Sequence, residues 1–183
     1  NEDYVILCDC DGVYRMDLSE VIDFHEAKQA DMTVVCHNEE IVNSNNYTTI
    51  KSDESGRVTD IKINEKVRGS NKFYSNIMII GRQFLLTLIE DAIVHNYKSF
   101  REDIIMRRMK TLKIFSYDFT GYHATIDSLS SYFVHNMELL QKPVRDELFG
   151  ARDIYTKVRD SAPSKYGDDS SVKNSLISDG CIV

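Results

Sequence analysis

Apolar residues along this chain fall into runs of two periods, and the switches between them mark the elements. Residues 4–8 (Tyr-Val-Ile-Leu-Cys) are continuously apolar and stop at Asp9-Cys10-Asp11-Gly12-Val13. That is the pattern of a strand buried on both faces, with two carboxylates at its end. In parallel α/β sheets, strand ends of this kind are where ligands bind. Asp17 and Glu20 have N-cap and N3 spacing, and Leu18, Val21, Ile22 and His25 then recur at helical spacing to about Ala30. His25 lies on that stripe and reads as a core or boundary residue rather than a ligand. Residues 32–36 form a second apolar strand. Strand, helix and strand in this order predict a right-handed βαβ unit, hence a parallel sheet.

Residues 38–46 are polar and read as a loop. Residues 47–50 and 57–63 flank Asp53-Glu54-Ser55-Gly56, which has the composition of a hairpin turn. A basic loop over 66–72 precedes a strand over 74–80. In the helix that follows, Phe84, Leu85, Leu88, Ile89, Ala92 and Ile93 make one stripe, expected to face the core. Residues 100–109 predict another helix and 112–119 another strand. Gly121 breaks the chain, and Asp127 is placed to cap a helix with the stripe Leu129, Tyr132, Phe133, Asn136, Met137 and Leu140. Beyond Gly150 the character changes. Pro163, Gly167 and polar residues 168–171 lead into Val172-Lys173-Asn174-Ser175-Leu176-Ile177-Ser178-Asp179-Gly180-Cys181-Ile182, which resembles the opening coils of a hexapeptide-repeat left-handed β-helix. The expected organisation is an α/β domain over residues 1–150, then a linker and first coils over 151–183.

Composition narrows the function classes. At 183 residues, with 42% hydrophobic residues and two prolines, the chain can bury one good core. No apolar run approaches the ~18 residues of a membrane span, and no signal-peptide pattern opens the chain. A formal charge of -7 argues against a general nucleic-acid binder, which needs a basic footprint. The expected partners therefore include neither nucleic acid nor membrane. The four cysteines show no C-x-x-C spacing. Cys8 and Cys10, two apart on a strand, face one side and could ligate metal, but small apolar residues in a buried strand are the simpler reading. A reduced, cytoplasmic protein is expected. Asn1-Glu2-Asp3 leads straight into a core strand, and the chain stops at Cys181-Ile182-Val183 in a β-rich run, so it reads as the middle of a longer polypeptide.

The Asp9–Asp11 segment supports two chemistries. As D-x-D-G-V it resembles the start of a haloacid-dehalogenase-type phosphatase, with Asp9 as nucleophile and Asp11 as acid. That chemistry also needs a second acidic pair after a buried strand to hold magnesium. Gly167-Asp168-Asp169 is the candidate, but Ala162-Pro163-Ser164-Lys165-Tyr166 before it is no buried strand. An isolated motif is weak, and this reading ranks third.

The other chemistry gathers support along the whole chain. Asp11-Gly12-Val13-Tyr14-Arg15-Met16-Asp17 resembles the Asp-His-Ile-Tyr-Lys-Met-Asp segment of the glucose-1-phosphate adenylyltransferase (ADP-glucose pyrophosphorylase) family. Asn64-Glu65-Lys66 stands where catalytic members have Glu-Lys-Pro, and Gly121-Tyr122 with Tyr132 and Asn136 resembles their Gly-Tyr-Trp-x-Asp-Val-Gly-Thr helix opening. Ile154-Tyr155-Thr156, Lys165-Tyr166-Gly167 and Asn174 to Cys181 follow the family's passage into its β-helix. The resemblance covers nearly the whole chain. It implies a partial Rossmann-like nucleotide-diphospho-sugar transferase fold, followed by the start of a left-handed β-helix.

By that resemblance the reaction is attack of glucose-1-phosphate on the α-phosphorus of ATP, with Mg2+ held between two carboxylates. The first is Asp11; the second position, counted from Gly121-Tyr122, is Thr125. A hydroxyl is a weak, uncharged magnesium ligand. Asp127, two residues on, is the possible substitute. Glu65, Lys66 and Phe100 correspond to substrate-binding positions. Lys66 reads equally well as a phosphate ligand or as a solvated loop lysine. Other positions depart from the pattern: Cys10 for a glycine, His123 for the tryptophan, Val67 for the proline, and Ser99-Phe100-Arg101-Glu102-Asp103 for Asp-Phe-Gly-Lys-Asp. Core-forming residues are kept while chemistry-bearing ones are lost, which resembles the family's non-catalytic, D-type subunits of glycogen biosynthesis. The implied partner is the catalytic subunit of ADP-glucose pyrophosphorylase, with ATP and glucose-1-phosphate as candidate ligands. The alternative is an active adenylyltransferase that uses Asp127.

Overall fold

A computed structural model describes residues 2–38, 47–65, 72–150, 155 and 160–183. Its centre is β3 (Met32–Asn38), buried from Met32 to His37, as its uninterrupted apolar run requires. On one side β3 pairs in parallel with β7 (Ile114–Phe119), and on the other it runs antiparallel to the long β6 (Lys72–Gly81). The far edge of β6 is shared by β4 (Thr48–Ser52) near its start and by β1 (Tyr4–Cys8) along its second half, both antiparallel. β5 (Val58–Ile63) closes the sheet against β4. The strand–helix–strand expectation is therefore corrected. β1 and β3 point the same way, with α1 (Leu18–Lys28) between them in sequence, but antiparallel β6 lies between them in space. The sheet is mixed, not parallel, because an 11-residue helix leaves room for a strand to insert between the two.

Alternation along the strands builds two cores. Met32, Val34, Cys36, Met78 and Ile80 face one side, where Leu85 and Leu88 of α2 (Arg82–Val94) cover them with Ile104 and Ile105. Val35, Ile77 and Ile79 face the other side, where Val21 and Ile22 of α1 cover them. His25 is on that face, buried, with its Nδ1 2.8 Å from Thr33 Oγ1. Helices on both faces of one sheet give a three-layer α/β arrangement.

Local chemistry sets the boundaries. Asp17 caps α1 through Ser19 N–H, and the helix ends at Lys28 because Gln29 turns left-handed. The β4–β5 hairpin forms as its turn residues predict: Asp53 Oδ1 accepts from the N–H groups of Ser55 and Arg57, and Gly56 supplies φ +86°. Residues 100–106 are helical as expected, but wound as a π-helix.

Further along, the helix expected through Leu140 forms as α3 (Leu129–Glu138), and a further helix that was not expected, α4 (Lys142–Phe149), follows it. The cap of α3 is Ser128, in a reciprocal box with Ser131; Asp127 lies one residue outside it. The expected core stripe of α3 is not buried: Leu129 is 88% and Phe133 63% exposed. On α2, Ile93 is 75% exposed. The sequence period was right, but a period cannot say whether a partner surface is present. In residues 160–183 the backbone pairs once, in parallel, between Lys165 and Ile182. The polar loop over 39–46, the basic segment 66–71 with Lys66, and most of 151–159 lie outside the described residues.

Candidate functional site

Two features converge at the end of β1. The first is a bulge in β6. The register against β3 shifts between Val34–Met78 and Cys36–Tyr74, and within the shift Asn76 is left-handed at φ 56°. Asparagine tolerates this conformation better than most residues, and bulges of this kind re-aim a strand. The displaced Asn76 carbonyl accepts the Asp9 N–H at 3.1 Å, which carries the ladder one residue beyond β1 and fixes Asp9 at the edge of a cleft. That cleft has a volume of about 670 Å³. Asp9, Asn64, Tyr74, Asn76, Phe100 and Arg101 are among its walls.

Asn64 is the second left-handed asparagine, at φ 57°, closing β5 with its N–H on the Tyr47 carbonyl at 2.8 Å. Burial pushes the Tyr74 phenol up, with the Asp9 charge adding to it, so it stays a neutral donor and acceptor. Arg101 on the π-helix spends one Nη1 hydrogen bond, 2.9 Å, on buried Thr48. A guanidinium has five donors, so the rest remain for an anion. The π-helix is anchored at its start. Ser99 Oγ accepts from Glu102 N–H, and the Asp103 carboxylate accepts from the N–H groups of Lys98 and Ser99. Those backbone hydrogen bonds hold the Asp103 carboxyl below its usual range.

The second feature is a two-stranded ribbon unforeseen in the sequence. β2 (Gly12–Tyr14) pairs antiparallel with β8 (His123–Thr125), placing Thr125 directly opposite Gly12. Ile126 N–H then donates to the Asp11 carbonyl at 2.8 Å. Residues 11 and 125, more than a hundred apart in sequence, are thus brought to one ribbon, with Thr125 across from Gly12 and Ile126 across from Asp11. His123, which the sequence leaves without a role, joins ribbon to sheet. It is buried, stacked on His37 at 4.0 Å between ring centroids and on Tyr14 at 6.0 Å.

The remaining sequence candidates divide. Phe100 lies in the cleft wall. Glu65 follows Asn64, but its carboxylate pairs with Lys62 at 3.3 Å on the exposed surface. Lys66 lies outside the described residues. Asp127 is exposed, with its N–H on Ser131 Oγ at 3.1 Å. Among the described residues, Asp168 and Asp169 are not in the cleft wall that contains Asp9, contrary to what the phosphatase reading needs. Sequence reasoning missed Arg101 and Asn76 as cleft residues. Their signals were present, an arginine in a Phe-Arg-Glu-Asp run and an asparagine inside an apolar strand, but neither has meaning without the bulge and the π-helix.

The profile of the nucleotidyl transferase family matches residues 1–113. The chain belongs to the nucleotidyl transferase family. It is similar to "Glucose-1-phosphate adenylyltransferase" of Thermosipho melanesiensis, 32% identical over 185 residues, 98% of this chain and 44% of the relative. The enzyme of the same name from Bacillus subtilis is 28% identical over 185 residues, 99% of this chain and 49% of the relative. "Glycogen biosynthesis protein GlgD" of Bacillus subtilis is 40% identical over 101 residues, 53% of this chain and 29% of the relative. The chain spans less than half the length of these relatives.

Nucleotidyl transferases generally use Mg2+, and the residues here can be tested for it. Among the described residues no group of three or more His, Cys, Asp or Glu side chains could hold a metal ion. At the ribbon, the residue bonded across from Asp11 is Ile126, and the threonine that precedes it is neutral. Magnesium favours oxygen ligands that carry charge. Of the two positions that the resemblance pairs, Asp11 and Thr125, one carries a carboxylate.

Proposed function

We propose that the protein is a regulatory, non-catalytic subunit of ADP-glucose pyrophosphorylase, acting in glycogen biosynthesis in the cytoplasm. The observation that supports this reading is Thr125 on the strand whose next residue, Ile126, is bonded to Asp11, at the position where the family resemblance calls for a second carboxylate. In nucleotidyl transfer the charge that builds on the phosphate oxygens is offset chiefly by a divalent cation. With Asp11 alone that offset is weakened by several kcal/mol, hence roughly a thousandfold or more in rate. Mg2+ is a cofactor only for whatever activity remains. The cleft nevertheless keeps donors suited to a sugar phosphate: Arg101 for the phosphate, Asn64, Asn76 and Tyr74 for hydroxyls. Glu65, Lys66 and Phe100 are vestigial substrate-binding positions on this reading.

The partner is the catalytic subunit. The exposed face of α3, with Leu129, Tyr132 and Phe133, supports assembly. We assign residues 1–150 to the transferase domain and 151–183 to the passage into a left-handed β-helix. The parallel Lys165–Ile182 pairing supports a first coil there. Regulation requires that binding favour the active over the inactive conformation of the catalytic subunit.

The test is an assay of the full-length protein with ATP, glucose-1-phosphate and magnesium, alone and after co-expression with a catalytic subunit. Alone it makes no ADP-glucose above background; together the two co-elute, and the maximal rate or effector response changes. Turnover near 10 per second alone, a common enzymatic value, sinks the proposal. A second reading, an active glucose-1-phosphate adenylyltransferase, is favoured by the names of the relatives that cover nearly all of this chain. It makes Asp127 the second metal ligand, so activity abolished by Asp127→Asn would establish it.

A further inference from the structure

A second cavity lies toward the opposite end of β1 from the Asp9 cleft. Tyr4 opens β1 and Asp9 follows its end, roughly 16 Å apart along extended chain. The cavity has a volume of about 450 Å³. It is bounded by Tyr4, by His25 and Glu26 near the end of α1, by Asp31 ahead of β3, and by Gly81 and Phe84 where β6 passes into α2. A Cβ at Gly81 would meet nothing within 4 Å, so this corner is open. α1 stops here because Gln29 turns left-handed at φ 47°, and the N–H groups of Gln29 and Ala30 cap the Glu26 and His25 carbonyls.

His25 marks this cavity as a site. The residue is 4% exposed, its Nδ1 is 2.8 Å from Thr33 Oγ1, and its ring stands edge-on to Tyr4 at 5.3 Å between centroids. The other nitrogen, Nε2, has no hydrogen-bond partner among the described residues and is not sealed in the core; the surface that the ring keeps is in this cavity. Leaving a polar atom of so buried a ring unmet costs free energy that a ligand recovers. Burial holds the His25 pKa below its usual value, against the Glu26 and Asp31 charges, which raise it. The ring is therefore neutral at neutral pH, and with Nδ1–H donating to Thr33 its Nε2 is an acceptor. The carboxylates beside it add acceptors and charge. Glu26 accepts from the Tyr4 hydroxyl, which raises that phenol's pKa, and Asp31 Oδ2 accepts the Lys113 N–H at 2.7 Å, each carboxylate keeping lone pairs over. The negative end of the α1 dipole adds to them. No lysine or arginine is among the described walls, and Lys28 of the last helical turn is held elsewhere by the Ser55 carbonyl at 2.8 Å. A substituted guanidinium brings five N–H donors in one plane and stacks on aromatic rings, which suits three acceptors beside Tyr4 and Phe84; an ammonium has three donors and is more strongly hydrated.

We infer that this cavity binds a small organic cation carrying a guanidinium group, held by His25 Nε2 and the Glu26 and Asp31 carboxylates. Its place and charge set it apart from the sugar-phosphate cleft, so it is independent of the subunit reading and has its own measurement. The full-length protein is titrated calorimetrically with methylguanidinium chloride at constant ionic strength. Binding saturates with a Kd of about 1 mM or below. Methylurea, of the same shape without the charge, does not bind. Glu26→Gln and Asp31→Asn each weaken binding about tenfold or more, as the loss of a charge-assisted hydrogen bond requires. Both variants fold as the wild type does by circular dichroism, since Glu26 is exposed and asparagine keeps an acceptor for the Lys113 N–H. Glu90→Gln, on the exposed face of α2, leaves binding unchanged. His25→Phe keeps a ring and removes the nitrogen, and it also loses binding; if that variant does not fold, the two carboxylate variants decide. Absence of saturable binding, equal binding of methylurea, or an affinity unchanged in both Glu26→Gln and Asp31→Asn overturns the site. Tighter binding of a blocked arginine peptide than of methylguanidinium assigns the cavity to a partner's arginine and overturns the small-molecule assignment.

Discussion

Replacing Thr125 by aspartate tests whether this position and Asp11 share one site. Thr125 faces Gly12 across the β2–β8 ladder, and its neighbour Ile126 is bonded to the Asp11 carbonyl, so the two positions are offset by one in the ladder and carboxylates on them would stand roughly 8–10 Å apart. Both residues are half-buried. At an effective dielectric near 20, two like charges ~9 Å apart repel by about 2 kcal/mol; in bulk water the figure falls to about 0.5 kcal/mol. A half-buried pair lies between these limits, so Thr125→Asp lowers stability by about 0.5–2 kcal/mol at neutral pH without divalent cation. In a chain of this size that is several degrees in the unfolding midpoint. Magnesium reverses part of the loss, because the variant has the carboxylate pair that the natural chain lacks. At ten times its Kd, a ligand specific for the folded state restores about 1.4 kcal/mol. The assay is thermal unfolding of wild type and variant with and without magnesium chloride, with sodium chloride matched for ionic strength. A variant as stable as the wild type in the absence of magnesium, with no differential response to it, would refute the reasoning. The two positions would then not share one site, and the central argument for lost catalysis would go with them.

Further outcomes follow from individual contacts. Arg101→Ala removes the guanidinium from the cleft wall and weakens glucose-1-phosphate binding by about tenfold or more, given charge-assisted hydrogen bonds of roughly 1.5–3 kcal/mol; calorimetric titration showing unchanged affinity contradicts that role. Ser128→Ala removes the side-chain cap of α3 and costs about 1 kcal/mol, whereas Asp127→Ala costs little, a difference that urea unfolding resolves. Backbone hydrogen bonds from Ser99 and Lys98 hold the Asp103 carboxyl below the ordinary aspartate range, so its contribution is complete above the unfolded value and is lost as pH falls through the lower folded value. Asp103→Asn therefore flattens the acid limb of the stability–pH profile below about pH 4, where the wild type falls more steeply.

The sequence by itself determined the elements whose causes are local. Asp17 with Ser19 capped α1, Asp53 with Gly56 turned the β4–β5 hairpin, and continuous apolar runs made β3 and β6 core strands. The order of motifs was enough to place the chain in its family, because that order is itself a property of sequence. Four matters were left to tertiary structure, each because it depends on residues far apart in the chain. β6 inserted between β1 and β3, since strand order is settled by competition among edges that a period does not describe. The Asn76 bulge, visible only as a register shift against β3, aimed Asp9 at the cleft where Arg101 arrives from the π-helix. Exposure of the α3 stripe and of Cys8 and Cys10 was decided by which surfaces found partners, and apolar character only measures the gain when one is found. Thr125 and Asp11 were brought together by the β2–β8 ribbon, a short ladder of three residue pairs with too little local pattern to predict.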